Sequence, residues 1–268
     1  MMIAVFILIV LLVLYTLSVM GRRGHRDLAA LRKWKYAHRG LHDERLPENS
    51  MAAFKAALDH GYGIELDLHL LADGNLAVMH DSALKRTTGA DGIIEDLTTE
   101  QLKNYRLNGT GETIPTFQQV LDLYAGKAPL VIELKPVKGN HAALTAKAVE
   151  MMEGSRGLYC MESFDPRVVK WLKDHRPDIC RGQLTENHFA AKGKLSAVLK
   201  FILTHQMMNF LTMPDFVAYK YVDRKTLGNF LVRRIWGIQG VTWTLKTMEE
   251  YNTAVKEGWI PIFEDFKP

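Results

Sequence analysis

The pattern of apolar and polar positions divides the chain into an apolar N-terminal run and a long alternating region. Residues 1–20 are apolar apart from Tyr15, Thr16 and Ser18. As a helix they would be roughly 30 Å long, enough to cross the hydrocarbon core of a bilayer. No Lys or Arg precedes this run and no clear small-residue cleavage site follows it, which favours a transmembrane helix over a cleaved signal peptide. A short basic linker is predicted over residues 21–34.

After the linker, short apolar runs with the length of buried strands alternate with polar or amphipathic segments. This alternation predicts a parallel sheet covered by helices. A chain of 268 residues with 47% hydrophobic content can bury one large core, so we predict a single domain over residues 35–268. The predicted strands are 35–38, 64–70, 130–135, 158–163, 179–183, 216–219, 241–244 and 260–263.

The strand at residues 64–70 carries the first candidate chemistry. Glu65 and Asp67 stand two residues apart, so both side chains lie on one face of the strand, where two acids need a cation. Asp73-Gly74 is a strong hairpin signal, and folding the chain back around it predicts that His80 lies directly opposite Asp67. Oxygen ligands beside a histidine suit Mg²⁺ or Ca²⁺ and the hydrolysis of a phosphate ester. The alternative is that both acids lie on the solvated face of an edge strand.

Several separated motifs occur in a fixed order along the chain. They are His38-Arg39-Gly40, Pro47-Glu48-Asn49-Ser50, Glu65-Leu66-Asp67, Asp73-Gly74, His80-Asp81, Glu133-Leu134-Lys135-Pro136, Ser163-Phe164-Asp165-Pro166 and Thr242-Trp243-Thr244. In this order and spacing, the chain after residue 34 resembles the glycerophosphodiester phosphodiesterase family. The resemblance implies a TIM (β/α)8 barrel, one divalent cation, and cleavage of glycerophosphodiesters into glycerol 3-phosphate and an alcohol. It also implies that residues 82–111 form a small subdomain inserted over the barrel mouth.

The candidate site residues follow from these motifs and from their places at strand ends, where barrel enzymes build their sites. We predict His38 and His80 as the general acid and base, without assigning the two roles. The predicted metal ligands are Glu65, Asp67 and Glu133. The predicted substrate-binding residues are Arg39, Glu48, Asn49, Lys135 and Trp243.

Structural alternatives accompany some of these residues. Glu133 and Lys135 share the inward face of their strand, where they could form a structural ion pair instead of a metal ligand and a phosphate contact. Asn49 or Ser50 could cap the following helix. Trp243 falls where the family places an aromatic near the glycerol moiety, but it could equally be packed in the core.

Two later segments are harder to interpret. Phe263-Glu264-Asp265 departs from the Thr-Asp pair associated with this position in the family, so no site residue is assigned to the last strand. Residues 185–214 form a long insert, whose apolar positions favour a barrel helix with its stripe turned inward; contact with a membrane is the alternative. The apolar residues are Leu195, Val198, Leu199, Ile202 and Leu203, and the basic residues are Lys192, Lys194 and Lys200.

Charge and cysteine content add to this picture. The net charge of +4 is mild, and the basic residues beside the apolar run favour a membrane surface over nucleic acid. Since these basic residues follow the run, we predict a single-pass protein of the cell membrane with a cytoplasmic barrel. Cys160 and Cys180 are predicted to be free buried thiols. Alternative functions are a lysophospholipase D acting on membrane lysolipids and a membrane-tethered phospholipid-binding protein without activity.

Overall fold

The computed structural model describes residues 1–155, 157–191 and 195–268. Its strands are β1 (Tyr36–His38), β2 (Gly63–Leu70), β3 (Leu76–Val78), β4 (Leu130–Leu134), β5 (Tyr159–Ser163), β6 (Arg181–Thr185), β7 (Phe216–Lys220), β8 (Gln239–Leu245) and β9 (Trp259–Phe263). Apart from β3, these strands pair in parallel, and β1 closes the sheet by pairing with both β2 and β9. The closed parallel barrel confirms the prediction of a TIM barrel.

Helices connect the strands and cover the barrel. They are α1 (Met2–Ser18), α2 (Leu28–Leu31), α3 (Met51–Asp59), α4 (Lys85–Thr88), α5 (Phe117–Tyr124), α6 (His141–Glu153), α7 (Pro166–His175), α8 (Ala197–Thr204), α9 (Asn209–Thr212), α10 (Leu227–Phe230) and α11 (Met248–Lys256). Short 3₁₀ turns at Ile94–Asp96, Thr99–Asn104 and Leu107–Gly109 lie in the segment that follows the β2–β3 hairpin. A π-helical turn, Leu231–Ile235, follows α10.

The two faces of β2 separate the hydrophobic core from the polar interior of the barrel mouth. Ile64, Leu66 and Leu68 are fully buried in the main apolar cluster, together with side chains of α3 and α5. Burying side chains of this size contributes about 1.5–3 kcal/mol each. Because successive side chains of a strand point to opposite faces, this packing turns Glu65 and Asp67 inward.

The N-terminal segment corrects one prediction. Residues 1–20 were expected to form a transmembrane helix, but α1 has 17 residues and is only about 26 Å long. In the part of the chain that the structure describes, no helix has both the length and the apolar character that crossing a membrane requires. The C-terminal end of α1 packs on the barrel, where Val19 is buried and Trp236 Nε1 donates to the Thr16 carbonyl oxygen at 2.7 Å.

The β2–β3 hairpin corrects a second prediction. Its register pairs Leu68 with Val78, so the backbone of Met79, and not that of His80, lies opposite Asp67. The predicted two-residue turn is one residue longer, because Leu71 N–H bonds to the carbonyl oxygen of Asn75 at 2.9 Å. Gly74 has a φ of 81°, the left-handed conformation that ends a three-residue hairpin loop.

The insert at residues 185–214 corrects a third prediction. Its helix, α8, was expected to turn an apolar stripe toward the barrel, yet two residues of that stripe are exposed, Val198 by 70% and Leu199 by 38%. Within α8, Thr204 is the buried residue. The predicted basic positions Lys192 and Lys194 lie outside the described residues.

Candidate active site

A cavity of about 430 Å³ opens at the C-terminal ends of the barrel strands. Its wall is formed by His38, Arg39, Glu65, His80, Glu133, Lys135, Glu162, Phe164, Leu184, Glu186, Trp243 and Ile262. The structure therefore brings most of the predicted site residues to one place. The other predicted residues, Glu48, Asn49 and Asp67, contact members of this wall from behind.

Three carboxylates meet at one side of the cavity. Parallel pairing of β2 with β4 sets Asp67 beside Glu133, and Glu65 lies on the same face of β2. One carboxylate oxygen from each of these residues lies within 4.8 Å of the other two, and all three side chains are buried. Lys135 Nζ lies 3.0 Å from Asp67 Oδ1 and 2.7 Å from Glu133 Oε1. The structural ion pair considered for Glu133 and Lys135 is thus present, but it is shared with Asp67.

The three acids outnumber the two permanent cations that reach them, Lys135 and Arg39, whose Nε lies 3.5 Å from Asp67 Oδ2. Burial and the neighbouring carboxylates raise the pKa of Glu65 well above its usual range, and burial raises that of Glu133 to about 7. Asp67 is also desolvated, but Lys135 and the other nearby cations hold its pKa well below the usual range. A buried set of oxygen donors short of positive charge fits a divalent cation such as Mg²⁺ or Ca²⁺.

His38 stands at the end of β1 and is oriented by Glu264, a carboxylate that was not predicted as a site residue. Its Nδ1 lies 2.6 Å from Glu264 Oε2, and its Nε2 lies 3.8 Å from Glu65 Oε2. Glu264 directly follows β9, the strand adjacent to β1, and it also bonds Lys246 Nζ at 2.7 Å. Burial lowers the pKa of His38. Burial alone would raise the pKa of Glu264, but hydrogen bonds from His38, His42 and Lys246 hold this pKa well below its usual range.

His80 is held from two sides. Its Nδ1 lies 2.6 Å from Asp81 Oδ1, while its carbonyl oxygen is 3.2 Å from Nε2 of the buried His69. His69 Nδ1 in turn lies 2.6 Å from Glu95 Oε1, and Ser82 Oγ donates to the second oxygen of Glu95 at 2.6 Å. Burial lowers the pKa of His80 to about 4. The inserted segment thus fixes the backbone that carries this histidine.

Arg39 lies between the carboxylates and a chain of alternating charges. Its backbone N–H donates to Glu65 Oε2 at 3.2 Å, and its Nη1 donates to Glu48 Oε1 at 2.8 Å. Glu48 also accepts two bonds of 2.7 Å from Arg86, whose Nε donates to Asp81, the partner of His80. Glu48 therefore holds two arginines in place and does not line the cavity.

Backbone geometry explains the sequence next to these residues. Gly40 has a φ of 83°, and a Cβ there would meet the backbone of Ala53 at 2.9 Å, so the position requires glycine. Asn49 Nδ2 donates to Asp67 Oδ2 at 2.8 Å. Ser50 caps α3 by accepting a bond from the Ala53 N–H at 3.1 Å. The structure thus assigns the cap to Ser50 and places Asn49 at the carboxylate cluster.

The far wall of the cavity is aromatic and acidic. The rings of Phe164 and Trp243 meet edge to face with centroids 5.6 Å apart. Lys220 Nζ lies 6.0 Å from the centre of the Trp243 ring and bonds Glu186 Oε2 at 3.0 Å. Trp243 thus lines the cavity and also packs against a neighbour.

Glu162 also lines the cavity, and it was not among the residues predicted from the sequence. Its side chain is 1% exposed, and its Oε2 has no hydrogen-bond partner among the described residues. Burial, with Glu133 on the adjacent strand, raises the pKa of Glu162 well above its usual range. An acidic residue within the apolar run 158–163 was the available signal for it.

Comparison with known proteins agrees with this geometry. The model of the glycerophosphoryl diester phosphodiesterase family matches residues 38–267. The chain is 43% identical over 107 residues to the glycerophosphodiester phosphodiesterase of Caldanaerobacter subterraneus. This alignment covers 37% of the present chain and 44% of the bacterial protein. It is 30% identical over 252 residues to glycerophosphodiester phosphodiesterase 1 of Bos taurus, in an alignment that covers 80% of the present chain and 72% of the bovine protein. In the alignments of higher identity, the chain spans about half the length of its bacterial relatives.

A solved structure shows the same fold. The phosphodiesterase of Oleispira antarctica, in complex with the product sn-glycerol-3-phosphate, aligns with a TM-score of 0.70 and 23% identity. The alignment covers 87% of this chain and 92% of that one. At this identity the likeness supports the barrel architecture.

Proposed function

The chain belongs to the glycerophosphoryl diester phosphodiesterase family, and on that premise we propose that it hydrolyses glycerophosphodiesters to glycerol 3-phosphate and an alcohol. One observation carries this proposal. Two histidines, each with Nδ1 on a carboxylate, line the same cavity as the carboxylate cluster, Arg39 and Lys135. A phosphodiester in this cavity meets cations for its charge and imidazoles for proton transfer.

We infer that Glu65, Asp67 and Glu133 hold one divalent cation, Mg²⁺ or Ca²⁺. The support is their close approach, their oxygen chemistry and the raised pKa of Glu65 and Glu133. When bound, such an ion supplies neutralisation of phosphate charge as a Lewis acid. Asn49 donates a hydrogen bond to Asp67 and so fixes one of the proposed ligands.

His38 and His80 are proposed as the acid–base pair. In each ring the bond between Nδ1 and a carboxylate sets the orientation, which leaves Nε2 as the nitrogen that exchanges a proton with the substrate. One ring takes a proton from the attacking hydroxyl group, which belongs to water or to the substrate glycerol. The other gives a proton to the leaving alcohol.

The remaining wall residues are assigned to substrate binding. Arg39 and Lys135 line the cavity and contact the carboxylate cluster, so their charges favour a phosphate placed beside it. Trp243 and Phe164 offer an apolar surface to the carbon chain of the glycerol or of the alcohol. Glu48 acts indirectly, since it positions Arg39.

The experiment is product analysis on a panel of glycerophosphodiesters, with the purified full-length chain in the presence and absence of Mg²⁺ or Ca²⁺. We expect the wild type to form glycerol 3-phosphate and the free alcohol, and we expect His80→Ala to form far less of both. The matched control is His175→Ala, because His175 is exposed at the end of α7, outside the cavity wall. No hydrolysis of any substrate under metal-replete conditions would refute the proposal and favour a non-catalytic phospholipid-binding protein.

A second candidate function is lysophospholipase D activity at the cell membrane. The observation in its favour is the exposure of apolar side chains along α1, with Phe6 at 67% and Leu8 at 66%, and on α8. Basic residues follow α1, so we propose attachment at the anionic cytoplasmic surface. Choline release from lysophosphatidylcholine compared with glycerophosphocholine distinguishes the two activities. An alkaline phosphatase fusion at the C-terminus that is active outside the cell would contradict the cytoplasmic assignment.

A further inference from the structure

A basic cavity lies on the outside of the barrel, beside the helical segment that follows β7. Its volume is about 190 Å³, and its wall carries Arg224, Lys225, Arg233 and Arg234. Among its described lining residues, Glu257 is the one acid. Trp259, which also lines it, begins β9, whereas the candidate active site lies at the other ends of the strands. This cavity is therefore separate from the barrel mouth.

The single carboxylate in this wall is already occupied. Arg224 forms bonds of 2.7 Å and 3.0 Å to the two oxygens of Glu257. Within residues 1–155, 157–191 and 195–268, no acidic side chain forms an ion pair with Lys225, Arg233 or Arg234. The cavity thus carries an excess of positive charge, which is suited to an anion.

Arg233 is held rigidly in the wall. Its guanidinium group stacks on the ring of Trp259 at 3.8 Å, and its Nη2 donates to the carbonyl oxygen of Glu257 at 2.6 Å. Burial, with the adjacent Arg234, lowers the pKa of Arg233 to about 10. These two consecutive arginines belong to the π-helical turn Leu231–Ile235, and both line the cavity. Arg233 offers a guanidinium group of fixed orientation and the exposed Arg234 beside it offers a second, and such a pair matches the oxygens of a phosphate.

Exposed apolar side chains lie on the helical segment that forms the cavity, and one of them, Phe230, lines it. Leu227, Phe230 and Ile235 are 54%, 56% and 51% exposed. The same segment packs against the C-terminal end of α1, through the bond from Trp236 to Thr16. Basic side chains next to exposed apolar ones are the surface chemistry of proteins that bind at a lipid interface. A soluble acidic ligand would account for the arginines but not for the apolar side chains.

We propose that this cavity binds the phosphate of an anionic phospholipid headgroup, with Leu227, Phe230 and Ile235 entering the boundary of the acyl chains. The site would hold the barrel at a membrane surface beside α1. It is independent of the proposed phosphodiesterase activity, because it shares no residue with the cavity at the barrel mouth.

The test compares vesicle binding of the full-length chain and of the double variant Lys225→Gln/Arg234→Gln. Both residues are exposed, so the substitutions spare the packed Arg233. Binding is measured by sedimentation with vesicles of phosphatidylcholine alone and of equimolar phosphatidylcholine and phosphatidylglycerol. At about 1 kcal/mol for each basic residue, we expect roughly 30-fold weaker binding to the anionic vesicles and unchanged binding to the neutral ones.

The control is Lys103→Gln/Lys127→Gln, which removes the same charge at exposed positions outside this cavity. The proposal is overturned if this control loses as much binding as the test variant, or if the wild type does not distinguish the two vesicles. Calorimetric titration with inorganic phosphate distinguishes a lipid headgroup from a soluble phosphate as the ligand of this cavity. Phosphate binding that the double variant loses, without any preference for anionic vesicles, would assign the cavity to a soluble phosphate and overturn the lipid assignment.

Discussion

Glu264 provides the sharpest test of the proposed acid–base pair, because it touches His38 and lies outside the residues predicted from sequence. Replacing Glu264 by Gln keeps an oxygen that can accept from His38 Nδ1 but removes the negative charge. A hydrogen bond to a charged group is about 1 kcal/mol stronger than a neutral one. The equilibrium between the protonated and the neutral form of His38 should therefore shift roughly fivefold toward the neutral form. Replacement by Ala removes the orienting bond as well, and we expect roughly 100-fold lower turnover.

The assay is kcat/KM as a function of pH, measured for the wild type and Glu264→Gln with a soluble glycerophosphodiester. The charge of Glu264 favours the protonated ring, so its removal lowers the pKa of His38. The limb of the profile that reports His38 should therefore move to lower pH. Movement of the acid limb identifies His38 as the base, and movement of the alkaline limb identifies it as the acid.

The matched control is Asp265→Asn. Asp265 bonds the same Lys246, with Oδ2 at 3.1 Å from Nζ, but it makes no contact with His38 in the described structure. Its profile should coincide with that of the wild type. The role given to Glu264 would be refuted if neither limb of the pH profile moves in Glu264→Gln. It would also be refuted if Asp265→Asn moves the same limb by the same amount.

Chelation with EDTA should abolish activity and added Mg²⁺ or Ca²⁺ should restore it; full activity in protein shown by elemental analysis to be metal-free would sink the ligand assignment. Glu65→Ala should lose metal binding in calorimetry and keep the circular dichroism of the fold, because it relieves a cluster of like charges; Asp67→Ala should also lose metal binding but should unfold more easily, because it removes the partner of Lys135. His38→Ala and His80→Ala should each lower turnover by roughly 100-fold, and the double variant should lose less than the product of the two; near-normal turnover in either one excludes that histidine. A p-nitrophenyl ester needs no protonation of its leaving group, so it should rescue the acid variant alone. His69→Gln should lower kcat by roughly tenfold at unchanged KM, since it loosens the backbone of His80; a change confined to KM would contradict that role.

Sequence periodicity was sufficient to locate the strands and one wall of the barrel mouth, whereas the closed barrel was what the family resemblance implied. Apolar Ile64, Leu66 and Leu68 predicted the buried face of β2, so the inward position of Glu65 and Asp67 followed from the period of two. Such an argument uses only neighbours along the chain.

Contacts between distant segments were less predictable. The register of the β2–β3 hairpin depended on a single added residue in its loop, and this residue moved the backbone position opposite Asp67 from His80 to Met79. Glu264 lies 226 residues from His38, and no local pattern relates the two. It became a neighbour of His38 only when the closing pairing of β1 with β9 was known.

Surface position was also beyond the reach of periodicity. The apolar stripe of α8 has the spacing of a helix packed on a barrel, but its Val198 and Leu199 are exposed. A stripe indicates that one face differs from the other, and it does not indicate what covers the apolar face. The same holds for α1, whose apolar composition predicted a spanning helix and whose 17 residues form a shorter one.

The alternating charges between the two histidines restrict how this sequence can change over time. Arg39, Glu48, Arg86 and Asp81 form a continuous series in which each charge faces its opposite. Loss of one member leaves its neighbour charged and unpaired in a partly buried place, which costs more than loss of a whole pair. We therefore expect Glu48 and Arg86 to be replaced together in related sequences, so that covariation, in addition to identity, should mark this connection between the two sides of the barrel mouth.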